Sequence, residues 1–428
     1  MALTWFIEPI VLHAQTPEPT SGTLRLAEVY RALDTANPRI AAAGALAAAV
    51  EARISPLRRP PDPQLQFGLM NRSLPGFALS DPLGMNQVQL MQMIPFPGKL
   101  GLAGRVASER AEAERARARD VAWDTRARAA MAFYELYRMD QSVRVAAQTL
   151  RVLRDFGKTA ETMYAVGEGL QTDVLRAQVE IARMSEDIIR MQTERIAAAA
   201  RLNALLAKPA SAELGPPARP AFPETLPPLD SLVAEAERRR PMVLAAQAEV
   251  RAADAGVRSA RREIWPDFQL GIQYGQRPME GGTDHMVSLM LGMNVPIFAG
   301  SRQLAMRREA AAMRQMAQAD LAAMQADTRG RVAEVYAGVE RARRLGDLYR
   351  RTILLQARTT VAAALSAYRV GKVDFMTVVD GQMTANRYHQ DLFTLEAERG
   401  QALAELEMLL GRTLFNPDDV TVASGGPQ

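Results

Sequence analysis

The sequence predicts a mainly α-helical chain with a small membrane-inserted β part, and three observations predict it. The 428 residues fall into two halves that carry the same landmarks in the same order. Each half contains a long stretch without proline, rich in alanine, arginine, glutamate and leucine. Each half also contains two short segments that alternate apolar and polar residues across a turn-rich loop. Together these give duplicated long-helix hairpins forming an α-barrel, plus two β-hairpins, hence four strands, per chain.

The duplication is read from paired landmarks on either side of the proline-rich stretch Pro209 to Pro228. Pro61-Asp62 before Gln64-Leu65 is echoed by Pro266-Asp267 before Gln269-Leu270, and Ile94-Pro95-Phe96-Pro97-Gly98 by Val295-Pro296-Ile297-Phe298-Ala299-Gly300. Tyr164-Ala-Val-Gly167 matches Tyr368-Arg-Val-Gly371, Gln178 matches Gln382, and Leu205-Leu206 matches Leu409-Leu410. The expected organisation is 1–22 as an export signal or disordered terminus, a first repeat at 23–208, a linker at 209–229, a second repeat at 230–413 and a tail at 414–428. Met1 to Ala14 is apolar, and Leu12-His13-Ala14 before Gln15 is a passable cleavage site, but the basic start is missing and Glu8 and Pro9 intrude. That segment reads as a degraded or mis-started signal, or as a disordered end.

The elements follow in order. Residues 23–57 are helical in composition. Strands are expected at about 64–72, where Leu65, Phe67 and Leu69 alternate with Gln64, Gln66 and Gly68, and at 86–94, where Val88, Leu90 and Ile94 share one parity. The loop between them, Ser73 to Met85, is rich in Pro, Gly, Ser and Asp. A continuous helix is expected from Leu100 to about Met163, and a returning helix over 171–207. The second half repeats the set: a helix at 230–263, strands at 268–276 and 286–295 around a Gly281-Gly282 loop, a continuous helix from Arg302 to Tyr368, and a helix over 375–411. At ~1.5 Å per residue the long helices would reach roughly 95 to 100 Å, more than a globular core needs, and the two shorter segments of each half add up to the same length. Met313 with Met316, and Val332, Val335 and Val339, keep one apolar stripe.

Each strand is close to the ~9 to 11 residues that cross a bilayer at a tilt. Taken alone the pattern reads more readily as a soluble hairpin, and a cytosolic coiled-coil scaffold would account for the helices but not for the strands. If the strands lie in lipid, four of them cannot close a barrel, so copies must assemble. Two copies give eight strands and a filled barrel, and three give twelve and a channel.

Composition narrows the function classes. The absence of cysteine excludes disulfides, thiolate metal sites and cysteine nucleophiles. A formal charge of +4 with interleaved signs gives no field to select nucleic acid, so no nucleic-acid partner is expected. No run of ~18 apolar residues is present, the nearest being the alanine-rich Ile40 to Val50. His13, His285 and His389 are too scattered for a zinc site. No serine-histidine-acid arrangement or carboxylate pair stands out, so neither an enzyme nor a cofactor is expected. Gly167-Glu-Gly169 lacks the preceding strand and following lysine of a nucleotide loop. Met70, Met85, Met91, Met93, Met286, Met290 and Met293 lie in or beside the strands. Thioethers suit Cu(I), but methionine is also a general filler of gaps in cores, and that structural reading is the preferred one for these residues.

The two turn motifs, Tyr164-Ala-Val-Gly-Glu-Gly-Leu-Gln-Thr-Asp-Val-Leu and Tyr368-Arg-Val-Gly-Lys-Val-Asp-Phe-Met-Thr-Val-Val-Asp, resemble the paired periplasmic hairpins of the TolC-like outer membrane factors. The resemblance runs from about Thr23 to Thr413. It implies a homotrimer with a twelve-stranded β-barrel in the outer membrane of a Gram-negative bacterium and an α-barrel in the periplasm. The implied role is efflux in partnership with a periplasmic adaptor and an inner-membrane pump of RND or ABC type, or type I protein secretion. Met93-Ile-Pro-Phe-Pro-Gly-Lys99 is similar to members of heavy-metal systems, which implies copper or silver as cargo. By the same resemblance, Asp173 and Tyr368 form a carboxylate–phenol latch at the closed end, and Asp380 belongs to a ring of three carboxylates. Thr377 replaces a further gate aspartate and Val373 a loop arginine, which suggests a less charged constriction. Val166, Gly167, Val370, Gly371 and Lys372 are expected to dock the adaptor. From the residues alone, Asp173 would serve equally as a helix cap, Tyr368 as turn packing, and Asp380 as an exposed carboxylate.

Overall fold

Proline-free composition yields helices that run the length of the molecule. The computed structural model describes residues 22–71, 84–279 and 282–415; the export-signal residues, the loop after Asn71, Gly281 and most of the tail lie outside them. In the first half, α1 (Leu26–Ala36), α2 (Pro38–Ala52) and α3 (Ile54–Leu57) lead to β1 (Gln64–Met70) and β2 (Met85–Ile94), followed by α4 (Lys99–Ala165) and α5 (Gln171–Leu205). The second half repeats the order with α6 (Leu229–Arg239), α7 (Pro241–Arg262), β3 (Phe268–Met279), β4 (Gly282–Met293), α8 (Leu304–Leu348), α9 (Leu354–Arg369) and α10 (Phe375–Leu410). At 67 residues α4 is a single helix, ~100 Å long.

The shorter segments break where an X–Pro step forces them to. Asn37 and Arg240, each before a proline, hold ψ near 118° and 122°, outside the helical range. Asn37 then caps α2 by accepting from Arg39 N at 2.9 Å, while its own amide donates to Leu205 O at 2.7 Å, tying the chain entry to the end of α5. The stretch Pro38–Leu57 is long and apolar enough by composition to cross a membrane, with only 6% of that window buried. The sequence reading named only its alanine-rich part, Ile40 to Val50, as the nearest approach to such a run, since Glu51 ends it; in the structure the segment packs along α4.

The second long helix corrects the expectation of one continuous α-helix from Arg302 to Tyr368. Two π-helical turns interrupt it, Ala299–Gln303 and Tyr349–Ile353. Their cause lies in a length mismatch between the repeats. Gly98 and Gly300 are 202 positions apart, the matching buried threonines Thr125 and Thr328 are 203 apart, and Tyr164 and Tyr368 are 204 apart. The second half therefore carries two more residues over the same height, and each i→i+5 turn absorbs one of them. The second turn also resets the stripe. Val332, Val335, Val339, Ala342 and Gly346 are buried before it, whereas Leu354 and Tyr368, with Val361 and Leu365 against the core, follow one residue out of phase.

The strands form one antiparallel sheet in the order β1-β2-β3-β4. The register sets Leu65 against Leu90, Leu90 against Ile272 and Ile272 against Leu289, and likewise Gln66, Gln89, Gln273 and Ser288. One face is thus aliphatic and aromatic, and the other is glutamine, methionine and glycine. The second hairpin starts where expected but reaches further toward its turn, 268–279 and 282–293 against 268–276 and 286–295. The ladder continues through Arg277 opposite Asp284, with the Tyr274 hydroxyl 2.7 Å from His285 Nδ1. Past Met293 one further backbone bond, Asn294 N to Asp267 O at 2.9 Å, ends the ladder. The first hairpin shifts by less, to 64–70 and 85–94. Where sheet meets helices, buried Lys99 pairs with Asp267 at 2.9 Å, Phe96 N donates to the same carboxylate at 2.8 Å, and Phe96 stacks on Trp265 at 5.0 Å.

Candidate functional site

The end of the molecule remote from the sheet is built from two matching turns. α4 and α9 both stop at a glycine in left-handed conformation, Gly167 at φ +80° and Gly371 at φ +68°. Glu168 N bonds back to Met163 O and Lys372 N to Ala367 O, both at 2.9 Å, closing the last turn of each helix. Val166 and Val370 are about two-thirds exposed at the tips, at 65% and 66%. Gly167, Gly371 and Lys372 are exposed beside them, so the five residues singled out from sequence form two small knobs.

Behind the knobs, α4, α5, α9 and α10 share an apolar core that includes Leu153, Phe156, Met184, Phe375, Val378 and Val379. Tyr368 is set into it at 6% exposure, its ring edge-on to Phe375 with centroids 5.5 Å apart. Its hydroxyl donates to Asp173 Oδ2 at 3.2 Å, and Asp173 is only 8% exposed. Burial, reinforced by the charge of Asp173, pushes the Tyr368 hydroxyl up to about 12, so it keeps its proton and remains a donor at ordinary pH. Asp173 is not the cap of α5: the capping position is Leu170, and Asp173 sits in the first turn. The bond therefore ties the descending helix of the second repeat to the returning helix of the first.

The repeat-related positions behave differently. Tyr164 is 49% exposed. Thr377, the counterpart of Asp173, is held by Asp374, whose carboxylate caps α10 by accepting from Thr377 N at 3.1 Å and from the threonine hydroxyl. Those hydrogen bonds hold the Asp374 carboxyl below its ordinary range. The sequence reading passed over Asp374, although Asp-x-x-Thr before an apolar helix start is a legible cap. Asp380 is exposed on α10 and has no hydrogen-bond or ion-pair partner among the described residues. Val373, in place of the expected loop arginine, packs against the apolar core. Of the four residues assigned to closure, the fold joins Asp173 with Tyr368, gives Thr377 to a cap and leaves Asp380 free.

The other end presents a second candidate surface. On the aliphatic face Phe67, Val287, Leu289 and Leu291 are 73% to 79% exposed, a row too apolar to face water at no cost. Of the eight methionines in the four strands, all but Met293 lie on the glutamine face. Among the described residues β1 and β4 each pair on one side only.

The chain matches the family described as outer membrane efflux protein twice, over residues 29–208 and 232–412. A curated relative, the outer membrane efflux protein BepC of Brucella suis biovar 1 (strain 1330), is 25% identical over 267 residues, 60% of this chain and 56% of that protein. The match thus spans a little over half the length of that relative. Among solved structures, the chain is similar to CusC at TM-score 0.78 and 18% identity, covering 91% of this chain and 92% of that one. It is also similar to the open state of the Neisseria gonorrhoeae MtrE outer membrane channel at TM-score 0.76 and 18% identity, covering 91% and 89%. At such identities the likeness is one of fold.

Proposed function

The chain belongs to the outer membrane efflux protein family, and from that premise we propose that it is one of three identical subunits of an efflux duct. The observation that carries the reading is the one-sidedness of the single chain. β1 and β4 leave open ladder edges, which lipid does not tolerate. α10 is packed between α4 and the α8–α9 helix, yet along most of its length its repeat counterpart α5 packs on α4 and meets α9 and α10 only in the core behind the tips; α7 lies between α4 and α8, yet among the described residues its counterpart α2 has its main contact with α4. The uncovered side of α5 shows Leu175, Val179, Ile189 and Ile196, each at least half exposed and spaced as one coiled-coil stripe. A neighbouring copy supplies the missing partners in every case, β4 to β1 and α8–α9 to α2 and α5, and three copies bring the strands to twelve.

In that assembly the aliphatic face of the sheet meets lipid and the glutamine–methionine face lines the channel. The tips form the aperture, with Tyr368 and Asp173 as its latch, Thr377 beside them and three Asp380 carboxylates as a ring that favours cations. Val166, Gly167, Val370, Gly371 and Lys372 receive a periplasmic adaptor, through which the duct works with an inner-membrane pump. The thioethers on the channel face support soft cations such as copper or silver as one cargo. Protein extracted in detergent is expected to run as a heat-sensitive species near three times 46.9 kDa and to conduct in planar bilayers. Asp380→Asn is expected to lower the cation preference. Recovery as a water-soluble monomer, or an unchanged ion preference in the variant, refutes the duct or the ring respectively. A deletion strain of normal copper and silver sensitivity refutes the metal cargo.

A further inference from the structure

Halfway along the helices, α10 forms the base of a cavity of about 620 Å³, walled by α4 on one side and by the second π turn and α9 on the other, where the inter-repeat linker crosses. Five guanidinium groups line it: Arg144 from α4, Arg219 from the linker, Arg350 and Arg351 from the π turn, and Arg358 from α9. No carboxylate among the described residues lines it.

The acids nearby do not balance these charges. Asp140 pairs with Arg144 at 2.8 Å but is shared with Arg195 at 3.0 Å. Asp347 meets Arg350 at 3.1 Å and also Arg343 at 3.7 Å. Glu396, 4% exposed behind the wall, is divided among the Tyr137 hydroxyl at 2.7 Å, Arg350 at 3.3 Å and Arg219 at 3.4 Å. Among the described residues Arg358 meets only His389 Nε2, at 3.1 Å. Among the described residues Arg351 has no hydrogen-bond or ion-pair partner.

A second, independent observation is the π turn itself. Such turns often mark functional positions, and this one brings the neighbouring Arg350 and Arg351 to the cavity wall. The first repeat lacks the feature: α4 runs on as a regular helix, and its corresponding positions are Ala146, Ala147 and Gln148. A tube wall needs neither the extra residue nor the arginines, since the first repeat builds its own without them.

The spacing defines the ligand. Arg351 in the π turn and Leu354, Leu355 and Arg358 in the helix that follows all line the cavity, so two cations without a carboxylate partner stand at positions about 10 Å apart in helix rise, with leucines between them. We propose that this cavity is an oxyanion-binding site for a molecule that presents two carboxylate or phosphate-type groups at the ends of an apolar spacer. Guanidinium forks bind both oxyanions bidentately, and Leu354, Leu392 and Phe393 accept the spacer. The site is separate from the tips and from the sheet.

The test uses the full chain, purified as its detergent-solubilised oligomer at low ionic strength and titrated calorimetrically. Three probes suffice: nonanedioate, octane-1,8-diphosphonate and inorganic pyrophosphate, the last too short to span the two cations. Either long probe is expected to bind, with Kd raised about tenfold or more in Arg351→Gln/Arg358→Gln. Leu355→Asp, at a position 65% exposed in the single chain, is expected to abolish binding by placing a carboxylate in the spacer path. Arg154→Gln, the exposed counterpart of Arg358 in the first repeat, is expected to leave it unchanged. Whichever long probe binds more tightly identifies the source as carboxylate or phosphate-type. Absence of binding by both, equal binding by the double variant, loss in Arg154→Gln, or pyrophosphate binding as tightly as the long probes overturns the site. Bilayer conductance of the same preparations reports on the duct separately.

Discussion

Replacing Tyr368 by phenylalanine removes one oxygen from the apolar core of the tips and leaves the ring in place. The edge-on packing against Phe375 survives, while Asp173, at 8% exposure, loses the hydroxyl that lies 3.2 Å from its Oδ2. A hydrogen bond to a charged group contributes about 1.5 to 3 kcal/mol net, and about 1.4 kcal/mol is a factor of ten in an equilibrium. If the bond is made only when the aperture is closed, the closed-to-open ratio should fall about 10- to 150-fold per chain. Single-channel recording in planar bilayers reads this as a higher open fraction or a larger conductance. Asp173→Ala should act in the same direction, and the double variant should exceed neither single variant by much, because both remove the same bond. Because burial holds the Tyr368 hydroxyl up at about 12, the effect should not vary between neutral and mildly alkaline pH. Recordings indistinguishable from the parent in both single variants, or effects that multiply in the double variant, would refute the latch.

Three further outcomes test the fold. Burial raises the Glu407 carboxyl from 4.5 to about 7 even though Leu414 N donates to it at 2.7 Å. Its contribution is therefore fully present below about pH 4.5 and is lost as pH rises through about 7, a fall on the order of 3 kcal/mol per chain. Thermal unfolding followed by circular dichroism should show the midpoint dropping across that window and a shallower drop in Glu407→Gln; an identical slope in the variant refutes the assignment. A Cβ at Gly400 would lie 2.5 Å from the buried ring of Tyr134, so Gly400→Ala should destabilise by about 1 to 3 kcal/mol. At Gly381, where the nearest contact is an ordinary 3.5 Å to Val361, the same change should stabilise by about 0.5 to 1 kcal/mol, and midpoints shifting alike in both variants would contradict the packing. Leu289→Arg, on the aliphatic face of the sheet, should cost about 2 to 4 kcal/mol and reduce the heat-sensitive oligomer on gels. Gln273→Arg, on the opposite face, should preserve it, and the reverse result would exchange the lipid and channel faces.

The duplication, the four strands and the long helices were legible in the sequence because each rests on a local signal. Alternation at period two in Leu65, Phe67 and Leu69, the proline-free run after Leu100, and the glycines after Tyr164 and Tyr368 act over a few residues whatever surrounds them. The π turns were legible in principle, since two surplus residues in the second repeat have to be accommodated, but spacing does not say where. Only packing against α10 places one of them at Tyr349–Ile353 and so sets Arg350 and Arg351 on a cavity wall. The site shows the same division. Sequence singled out Asp173 and Tyr368 but also gave their repeat partners Thr377 and Tyr164 the same local signals. Tertiary structure distinguishes them because equivalent positions in a duplicated chain receive different neighbours: Tyr368 is enclosed by α5 and α10, while Tyr164 faces outward for want of a helix beside it. Burial and pairing are properties of what lies across the interface between repeats, and a local pattern carries no record of that.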